Sequence, residues 1–461
     1  MKPPKNPASA RTGDLRDADR RHLWHPFTQH SEWQTEESLI IESGDGCWLV
    51  DSDGNRYLDG ISSLWVNVHG HRVPAIDAAI AAQLGRIGHS TLLGQASAPS
   101  IELAARLVAL APEGLSRVFY SDSGSTAVEV ALKMAFQSCQ QRGDTARSRF
   151  IAFTNAYHGD TVGSVSVGGM ETFHGIYRPL LFDALRAPYP HPYGCPTGAA
   201  AEDCADSCLA ELDALLQAHG HEVCALIIEP LVQGAAGIIT APAGFLAQVA
   251  RRCADHGVLL ICDEVATGFG RTGTMFACEQ EQVRPDFLCL AKGLTGGYLP
   301  LAATLTTEAV YETFDGPWDA HRTFYHGHSY TGNALGCAAA LASLDLFETT
   351  NLLATVRSRA NHLRGLLNKR LAPHQNVGEV RQRGLMVGIE LVADRPTKRP
   401  FAAGLRLGRR VALLARERGV IVRPLGDVVV LMPPLAISEA ELDLLVEAVA
   451  LALADALAEV G

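Results

Sequence analysis

The chain has 461 residues, of which 47% are hydrophobic and 19% charged, a balance typical of a globular protein with a large core. Its 50 acidic residues outnumber the 39 basic ones, and a net charge of −11 disfavours nonspecific binding to nucleic acid. The apolar stretches are too short to span a bilayer, and the polar N-terminus lacks the apolar segment of a signal peptide. We therefore expect a cytoplasmic protein with no membrane or nucleic-acid partner.

The N-terminal segment, residues 1–20, is polar and contains proline and charges of both signs, so we predict a disordered tail. Residues 21–74 contain the alternating stretch LIIESGDGCWLVDSDGNRYLDG, which is interrupted by two glycine-containing turn signals. Such alternation predicts β-strands. We assign this range to the N-terminal part of a small domain.

Residues 75–343 alternate short apolar runs with helical periods. VFYSD precedes the helical stretch STAVEVALKMAFQSCQQR, and the runs CALII, VLLIC and DFLCLA end at Glu229, Asp263 and Lys292. The intervals between those three residues are 34 and 29 positions. This rhythm predicts a large α/β domain, in which helices wrap a mainly parallel sheet.

Residues 344–461 contain a polar helical stretch, the strand-like runs LMVGIEL, VIVRPL and VVVLMPP, and a final amphipathic helix. We predict a small α+β domain built from both ends of the chain, because neither end has much core of its own.

A charged residue closes each of the three apolar runs of the large domain. A single charged residue at the end of a strand ordinarily marks the point where that strand reaches solvent. Three such residues in succession favour a pocket at the carboxyl edge of the sheet. Lys292 stands alone in the apolar run FLCLAKGLTGGYLPLA, where desolvation disfavours its charged form. A neutral lysine amine is suited to form a Schiff base with a carbonyl compound.

These residues match the requirements of pyridoxal phosphate (PLP) chemistry, which needs a lysine, a carboxylate for the pyridine nitrogen and a phosphate site. Asp263 supplies the carboxylate. Ser123, Gly124 and Ser125 precede a predicted helix, whose N–H groups and dipole suit a phosphate, although such residues are more often simple helix caps.

The stretch VLLICDEVATGFGRTG, followed by LCLAKGLTGG, resembles the signature of class III, fold-type I PLP-dependent aminotransferases. The resemblance extends over essentially the whole chain after the N-terminal segment. It implies a homodimer with active sites at the subunit interface, and three catalytic residues: Lys292, Asp263 and Tyr157. The cofactor-binding residues that it implies are Lys292, Asp263, Gly124, Ser125, Tyr157, His158 and Glu229, with His328 and Ser329 reaching the phosphate of the neighbouring subunit.

Further stretches are similar to the diaminopelargonic acid aminotransferases, a branch of that family. They are LWHPFTQ, DGISSLWVNVHGHR, YHGDT, EPLVQGAAG and RPLGD. This branch aminates 8-amino-7-oxononanoate (KAPA) to 7,8-diaminononanoate (DAPA) in biotin biosynthesis. The implied substrate-binding residues are Phe27, Trp65, Tyr157, Asp160, Gly327 and Arg423, with the Arg423 guanidinium at the substrate carboxylate.

Two departures from this branch concern the amino donor. Leu64 stands where most members that use S-adenosyl-L-methionine have tryptophan, and Phe27 stands where they have tyrosine. The remaining motifs also resemble members that use L-lysine. Both donors therefore stay open.

Other interpretations compete with this one. A related class III enzyme, such as an ω-amino acid:pyruvate aminotransferase or an aminomutase, would carry the same signature. A non-catalytic regulator with this fold would usually carry a DNA-binding module, for which the N-terminal segment is too short. Individually, Trp65 and Tyr157 also fit ordinary core aromatics, and Arg423 fits a solvated strand end.

Eleven cysteines without a secretory signal predict reduced thiols. Cys195, Cys204 and Cys208 cluster loosely with His191, but their spacing matches no common zinc pattern, so we predict no metal site.

Overall fold

The computed structural model describes residues 7–460, with side chains from Arg11 onward. The helices are α1 (Pro7–His22), α2 (His30–Trp33), α3 (Ser62–Trp65), α4 (Pro74–Leu84), α5 (Ala98–Leu110), α6 (Gly124–Arg142), α7 (Val162–Val167), α8 (Glu171–His174), α9 (Cys204–His219), α10 (Phe245–Asp255), α11 (Glu308–Tyr311), α12 (Ala334–Thr349), α13 (Leu352–Arg370), α14 (Leu407–Glu417) and α15 (Glu439–Val460). Short 3-10 segments lie at Gly175–Leu180, Pro192–Gly194, Gly220–Glu222, Ala277–Glu281, Lys292–Thr295, Glu312–Phe314, Trp318–Ala320 and Ala403–Leu405.

The strands are β1 (Ile41–Asp45), β2 (Trp48–Asp51), β3 (Arg56–Asp59), β4 (Leu115–Ser121), β5 (Arg149–Phe153), β6 (Leu185–Ala187), β7 (Val223–Ile228), β8 (Val232–Gln233), β9 (Ile239–Thr240), β10 (Leu259–Asp263), β11 (Phe287–Leu290), β12 (Ala302–Thr307), β13 (Val377–Arg383), β14 (Met386–Leu391), β15 (Val420–Ile421), β16 (Arg423–Leu425) and β17 (Val428–Leu431).

Seven strands form the central sheet, in the order β4-β12-β11-β10-β7-β5-β6. The pairs β11/β10, β10/β7, β7/β5 and β5/β6 are parallel, and β12 runs antiparallel between β11 and β4. Every residue of β7 and β11 is buried, which explains why these strands are continuous apolar runs instead of alternating ones. The predicted mainly parallel α/β fold is confirmed.

The register of this sheet brings the charged strand ends together. Cys262 pairs with Ile228, and Asp263 pairs with Cys289. Glu229 is the residue after Ile228, and Lys292 is the second residue after the end of β11, so both lie at the same edge as Asp263. The carboxyl ends of parallel strands border the crevice where ligands bind in such sheets. The site described below lies at this edge.

Two four-stranded sheets accompany the central one, in the orders β1-β2-β3-β15 and β13-β14-β17-β16, and β8 and β9 form a separate two-stranded sheet. In the first of them Val420 pairs with Leu58, so strands from both ends of the chain share one sheet. This pairing confirms that the α+β part of the fold is built from both chain ends. The boundaries between residues 74 and 75 and between residues 343 and 344 stay predictions.

The N-terminal segment differs from the predicted disordered tail over residues 1–20, because α1 begins at Pro7; residues 1–6 lie outside the described range. Polar contacts with later residues hold this polar helix. Asp19 accepts hydrogen bonds from Trp33 Nε1 and His25 Nε2, both at 2.7 Å, and Arg16 Nε donates to the Ser38 carbonyl at 3.0 Å. Across residues 7–460, no helix combines the length and the hydrophobicity needed to cross a membrane.

Candidate active site

A cavity of about 690 Å³ opens at the carboxyl edge of the central sheet. Its size is in the range of cofactor and substrate sites. It brings together the following predicted residues: Trp65, Gly124, Ser125, Tyr157, His158, Asp160, Glu229, Asp263 and Lys292.

Lys292 lies at the start of the 3-10 segment that follows β11, with a left-handed backbone (φ 45°). A lysine rarely adopts this conformation, and such strain is common at functional sites. Its Nζ lies 5.0 Å from the centroid of the Trp65 ring. Burial lowers the pKa of Lys292, and the Arg271 charge lowers it further, while Asp263 and Glu229 act in the opposite direction. The amine is thus easier to deprotonate than an ordinary lysine.

Asp263 ends β10 and is buried. Its Oδ2 lies 2.7 Å from Nδ1 of His158, whose side chain is completely buried, and its Oδ1 accepts a hydrogen bond from Val265 N at 3.0 Å. The two contacts fix the plane of the carboxylate. Nε2 of His158 is buried without a hydrogen-bond partner among the described protein groups.

Glu229 follows β7 and is also buried. Its Oε1 accepts a hydrogen bond from Tyr157 N at 3.1 Å, and its Oε2 accepts one from Gly234 N at 2.9 Å. Burial, with a smaller contribution from the Asp263 charge, raises the pKa of Glu229 to about 7 against the opposing effect of His158. This carboxyl group can therefore change protonation state near neutral pH.

The N-terminus of α6 forms another wall of the cavity. Ser123 caps the helix by accepting a hydrogen bond from Thr126 N, so the sequence-based cap interpretation of this residue holds. Ser125 Oγ accepts a hydrogen bond from Thr161 N at 3.0 Å. A Cβ atom on Gly159 would lie 2.3 Å from Ser125 Oγ, so only glycine permits this approach of the two segments.

Tyr157 and Asp160 form a pair, with Tyr157 OH donating to Asp160 Oδ2 at 2.7 Å. Burial raises the pKa of Tyr157 above its usual range, and the Asp160 hydrogen bond adds to this effect. Sequence reasoning missed His174, whose ring stacks on Tyr157 with centroids 5.9 Å apart and whose Nε2 lies 3.2 Å from Asp160 Oδ1. His174 does not itself line the cavity, and it lies outside every motif of the sequence analysis.

Arg271 is buried behind the site. It donates hydrogen bonds to the Pro433 carbonyl at 2.5 Å, to the Asn67 carbonyl at 3.1 Å and to Ser62 Oγ at 3.3 Å. Its burial lowers its pKa to about 9. The guanidinium connects the loop after β10 to segments from both ends of the chain.

The other predicted residues lie outside the cavity of the single chain. Phe27 is 55% exposed and contacts Phe173, and Arg423 begins β16 with an exposed side chain. Gly327 and Ser329 are also exposed, and His328 is partly buried. Their predicted roles stay predictions.

The residues that line the cavity fit PLP. A lysine with a lowered pKa, a buried carboxylate held in one plane and the first turn of a 19-residue helix are the groups needed for the aldehyde, the pyridine nitrogen and the phosphate.

Known proteins are similar to this chain over almost its whole length. The chain is 61% identical to the adenosylmethionine-8-amino-7-oxononanoate aminotransferase of Nitratidesulfovibrio vulgaris, over 96% of this chain and 82% of the relative. The crystal structure of the enzyme of that name from Methanocaldococcus jannaschii superposes with a TM-score of 0.91 at 46% identity, covering 96% of this chain and 99% of the other. An amine transaminase from an uncultivated Pseudomonas species, solved in its PLP-bound form, gives 0.90 at 38% identity, covering 94% and 98%.

The family model for class-III aminotransferases matches residues 30–453. The chain therefore belongs to the class-III aminotransferases and is a PLP-dependent transaminase.

Proposed function

We propose that this transaminase converts KAPA to DAPA in biotin biosynthesis. The observation that carries the proposal is a single cavity that joins Lys292, Asp263 and the first turn of α6 to Trp65, Tyr157 and Asp160. The first group serves the cofactor, and the second matches the substrate residues of the diaminopelargonic acid branch. The names of the relatives described above give the same acceptor.

The side chains of the cavity would have separate roles in a ping-pong reaction. In such a reaction the donor transfers its amino group to the loaded enzyme and departs before the acceptor binds and receives that group. When bound, PLP supplies an electron sink that no side chain provides. Lys292 would hold the cofactor and, once released, move a proton to and from its Nζ as general base and acid. Asp263, oriented by His158 Nδ1, would accept a hydrogen bond from the protonated pyridine nitrogen.

Gly124 and Ser125 would bind the phosphate, because the N–H groups and the dipole at the start of α6 favour negative charge. Tyr157 would cover one face of the cofactor ring. Asp160 is held by both Tyr157 OH and His174, so its carboxylate is positioned to meet the ammonium group of KAPA. Arg423 would bind the carboxylate at the other end of the substrate.

We further propose S-adenosyl-L-methionine as the amino donor, because the relatives that share up to 61% of this sequence are named for it. L-lysine is the alternative. Leu64 and Phe27, the two departures from the usual pattern, are 49% and 55% exposed, and neither lines the cavity.

A donor and acceptor screen tests these proposals. Purified enzyme loaded with PLP is given KAPA and either S-adenosyl-L-methionine or L-lysine, and DAPA is measured by mass spectrometry. DAPA with the first donor alone supports the full proposal, and DAPA with lysine alone refutes only the donor. Amination of pyruvate without amination of KAPA would refute the acceptor and favour the ω-amino acid:pyruvate class.

We also propose a cytoplasmic homodimer with composite active sites. Several large apolar side chains are unusually exposed for a monomer, among them Trp318 at 87% and Tyr325 at 74%, in the segment that leads to His328 and Ser329. Subunit mixing tests this arrangement. Lys292→Ala and Ser329→Asp chains, each inactive alone, should regain about one quarter of wild-type activity after random reassociation, because one site of each mixed dimer is intact. Recovery of no activity would contradict a composite site.

A further inference from the structure

Three cysteine side chains meet at a place that the active-site cavity does not include. Cys195 follows the short segment Pro192–Gly194, and Cys204 and Cys208 lie in the first two turns of α9. All three Sγ atoms lie within 4.8 Å of one another. Among the described side chains, no other group of three His, Cys, Asp or Glu residues converges in a way that could hold a metal ion. We call these residues the thiol cluster.

The geometry of the thiol cluster is that of one face of a metal site. Cys204 and Cys208 are one helical turn apart and therefore lie on the same side of α9, while Cys195 approaches from the loop. A tetrahedral zinc ion, with Zn–S bonds of about 2.3 Å, holds its sulfur ligands about 3.8 Å apart. The observed separations require a contraction of at most about 1 Å.

The surroundings support ligation. Cys195 Sγ lies 3.1 Å from Thr197 Oγ1, which in turn accepts a hydrogen bond from Ser207 Oγ at 2.8 Å, so the loop thiol has an ordered outer partner. The positive end of the 16-residue helix α9 favours the negative charge that thiolate ligands carry. Cys204 and Cys208 are buried, whereas Cys195 is partly exposed and leaves a path for an ion and for a fourth ligand from solvent.

We propose that the thiol cluster binds one thiophilic d¹⁰ cation, with Zn²⁺ as the natural candidate, through three thiolates and a solvent ligand. Each thiol loses its proton as its sulfur forms a bond to the metal, so binding releases three protons for the three ligands. The spacing in sequence did not reveal the site, because the ligands come from a loop and a helix that only the fold brings together.

The metal would have a structural role. The loop that carries Cys195 also contacts the small domain: His191 Nε2 lies 3.1 Å from Glu379 Oε2, and Lys398 Nζ donates to the Tyr193 carbonyl at 2.6 Å. An ion at the thiol cluster would fix this loop to α9 and thereby stabilise its contact with β13. We expect it to raise thermal stability while transaminase turnover changes little.

The test uses the full-length enzyme with PLP bound, stripped of metal by a chelator under a phosphine reductant. Co²⁺ is the probe, because its ligand-field absorption at tetrahedral thiolate sites lies at red wavelengths, where PLP does not absorb. Titration should show one Co²⁺ per chain, displaced by Zn²⁺, and Zn²⁺ should raise the Tm.

Variants decide whether the thiol cluster is the site. Cys195 is the least buried of the three thiols. Cys195→Ser should weaken Co²⁺ binding at least about 100-fold and abolish the Zn²⁺-induced rise in Tm, since even changes outside the ligand set lower metal affinity about 10- to 100-fold. Cys208→Ser should do the same, and Cys337→Ser, which removes a buried thiol on α12, should bind normally. PLP content and turnover verify that each variant is folded. A reduced wild-type enzyme without a tetrahedral Co²⁺ spectrum, or a Cys195→Ser variant that binds as well as wild type, overturns the proposal.

Discussion

The contact between His158 and Asp263 gives the sharpest test of the site. His158 Nδ1 lies 2.7 Å from Asp263 Oδ2, and the other carboxylate oxygen is held by the Val265 amide. We consider two substitutions of His158. His158→Asn keeps an N–H donor near the position of Nδ1, whereas His158→Leu has a similar bulk without a donor. Both variants lack the imidazole ring, so the difference between them measures the effect of the hydrogen bond alone.

The magnitude follows from the burial of both partners. A hydrogen bond to a charged group contributes about 1.5–3 kcal/mol to stability, and a buried carboxylate that loses its donor is destabilised by about that amount. At about 1.4 kcal/mol for each factor of ten, this corresponds to roughly 10- to 150-fold. The same contact exists in the cofactor-free enzyme, so only part of this loss falls on PLP binding. Since Asp263 is proposed to bind the pyridine nitrogen, we expect the Kd for PLP to be higher in His158→Leu than in His158→Asn, by at most about 150-fold.

Equilibrium dialysis gives the Kd for PLP in each variant, and absorption spectra across the pH range report the protonation of the bound ring. His158→Asn should retain a spectrum close to that of wild type, while His158→Leu should lose the protonated ring form at a lower pH. Kd values that agree within the error of the assay, together with identical pH profiles, would refute the idea that His158 positions Asp263. Loss of fold is monitored by urea unfolding of both variants.

Three further predictions concern single residues of the site. Lys292→Ala should lose turnover by about a thousandfold or more, because it removes the proposed proton-transfer group, yet it should still bind PLP noncovalently. Full activity of this variant in a coupled transaminase assay would exclude the mechanism. The pKa of Glu229 is raised from 4.5 to about 7, so the folded protein binds this proton more tightly than the unfolded chain does. The stability of the cofactor-free wild type should therefore fall as the pH rises from 4.5 through about 7. Glu229→Gln should therefore gain stability relative to wild type, by up to about 3 kcal/mol between about pH 5 and 8 in urea unfolding, and a difference independent of pH would contradict this. Gly143→Ala should lower the free energy of unfolding by about 1 kcal/mol, because the positive φ of Gly143 (92°) strains alanine, although the space around it is open. Gly159→Ala should lower it more and should weaken PLP binding, because the added Cβ would clash with Ser125. Equal losses in thermal denaturation and unchanged PLP affinity would show that the clash is relieved.

The parts of the site that could be predicted from sequence are those encoded by a local pattern. Glu229, Asp263 and Lys292 each end an apolar run, and parallel pairing of such runs places their ends at one edge. The first turn of α6 is equally local, since its serines and glycine precede a long helical period. The family signature extended these patterns to Trp65, Tyr157 and Asp160, and all of them line the same cavity.

The tertiary structure alone decided which side chains touch those residues. His158 and Asp263 are 105 positions apart, and His174 reaches Tyr157 from a short helix without any motif. The polar helix α1 and the thiol cluster are further cases, because their stabilising or ligating partners come from other segments of the chain. A local pattern records the periodicity of burial along one segment, whereas a contact between distant segments depends on how the whole chain packs. The sequence by itself therefore determined the sheet and the positions of its charged strand ends, and the packed fold determined the hydrogen-bond partners that orient them.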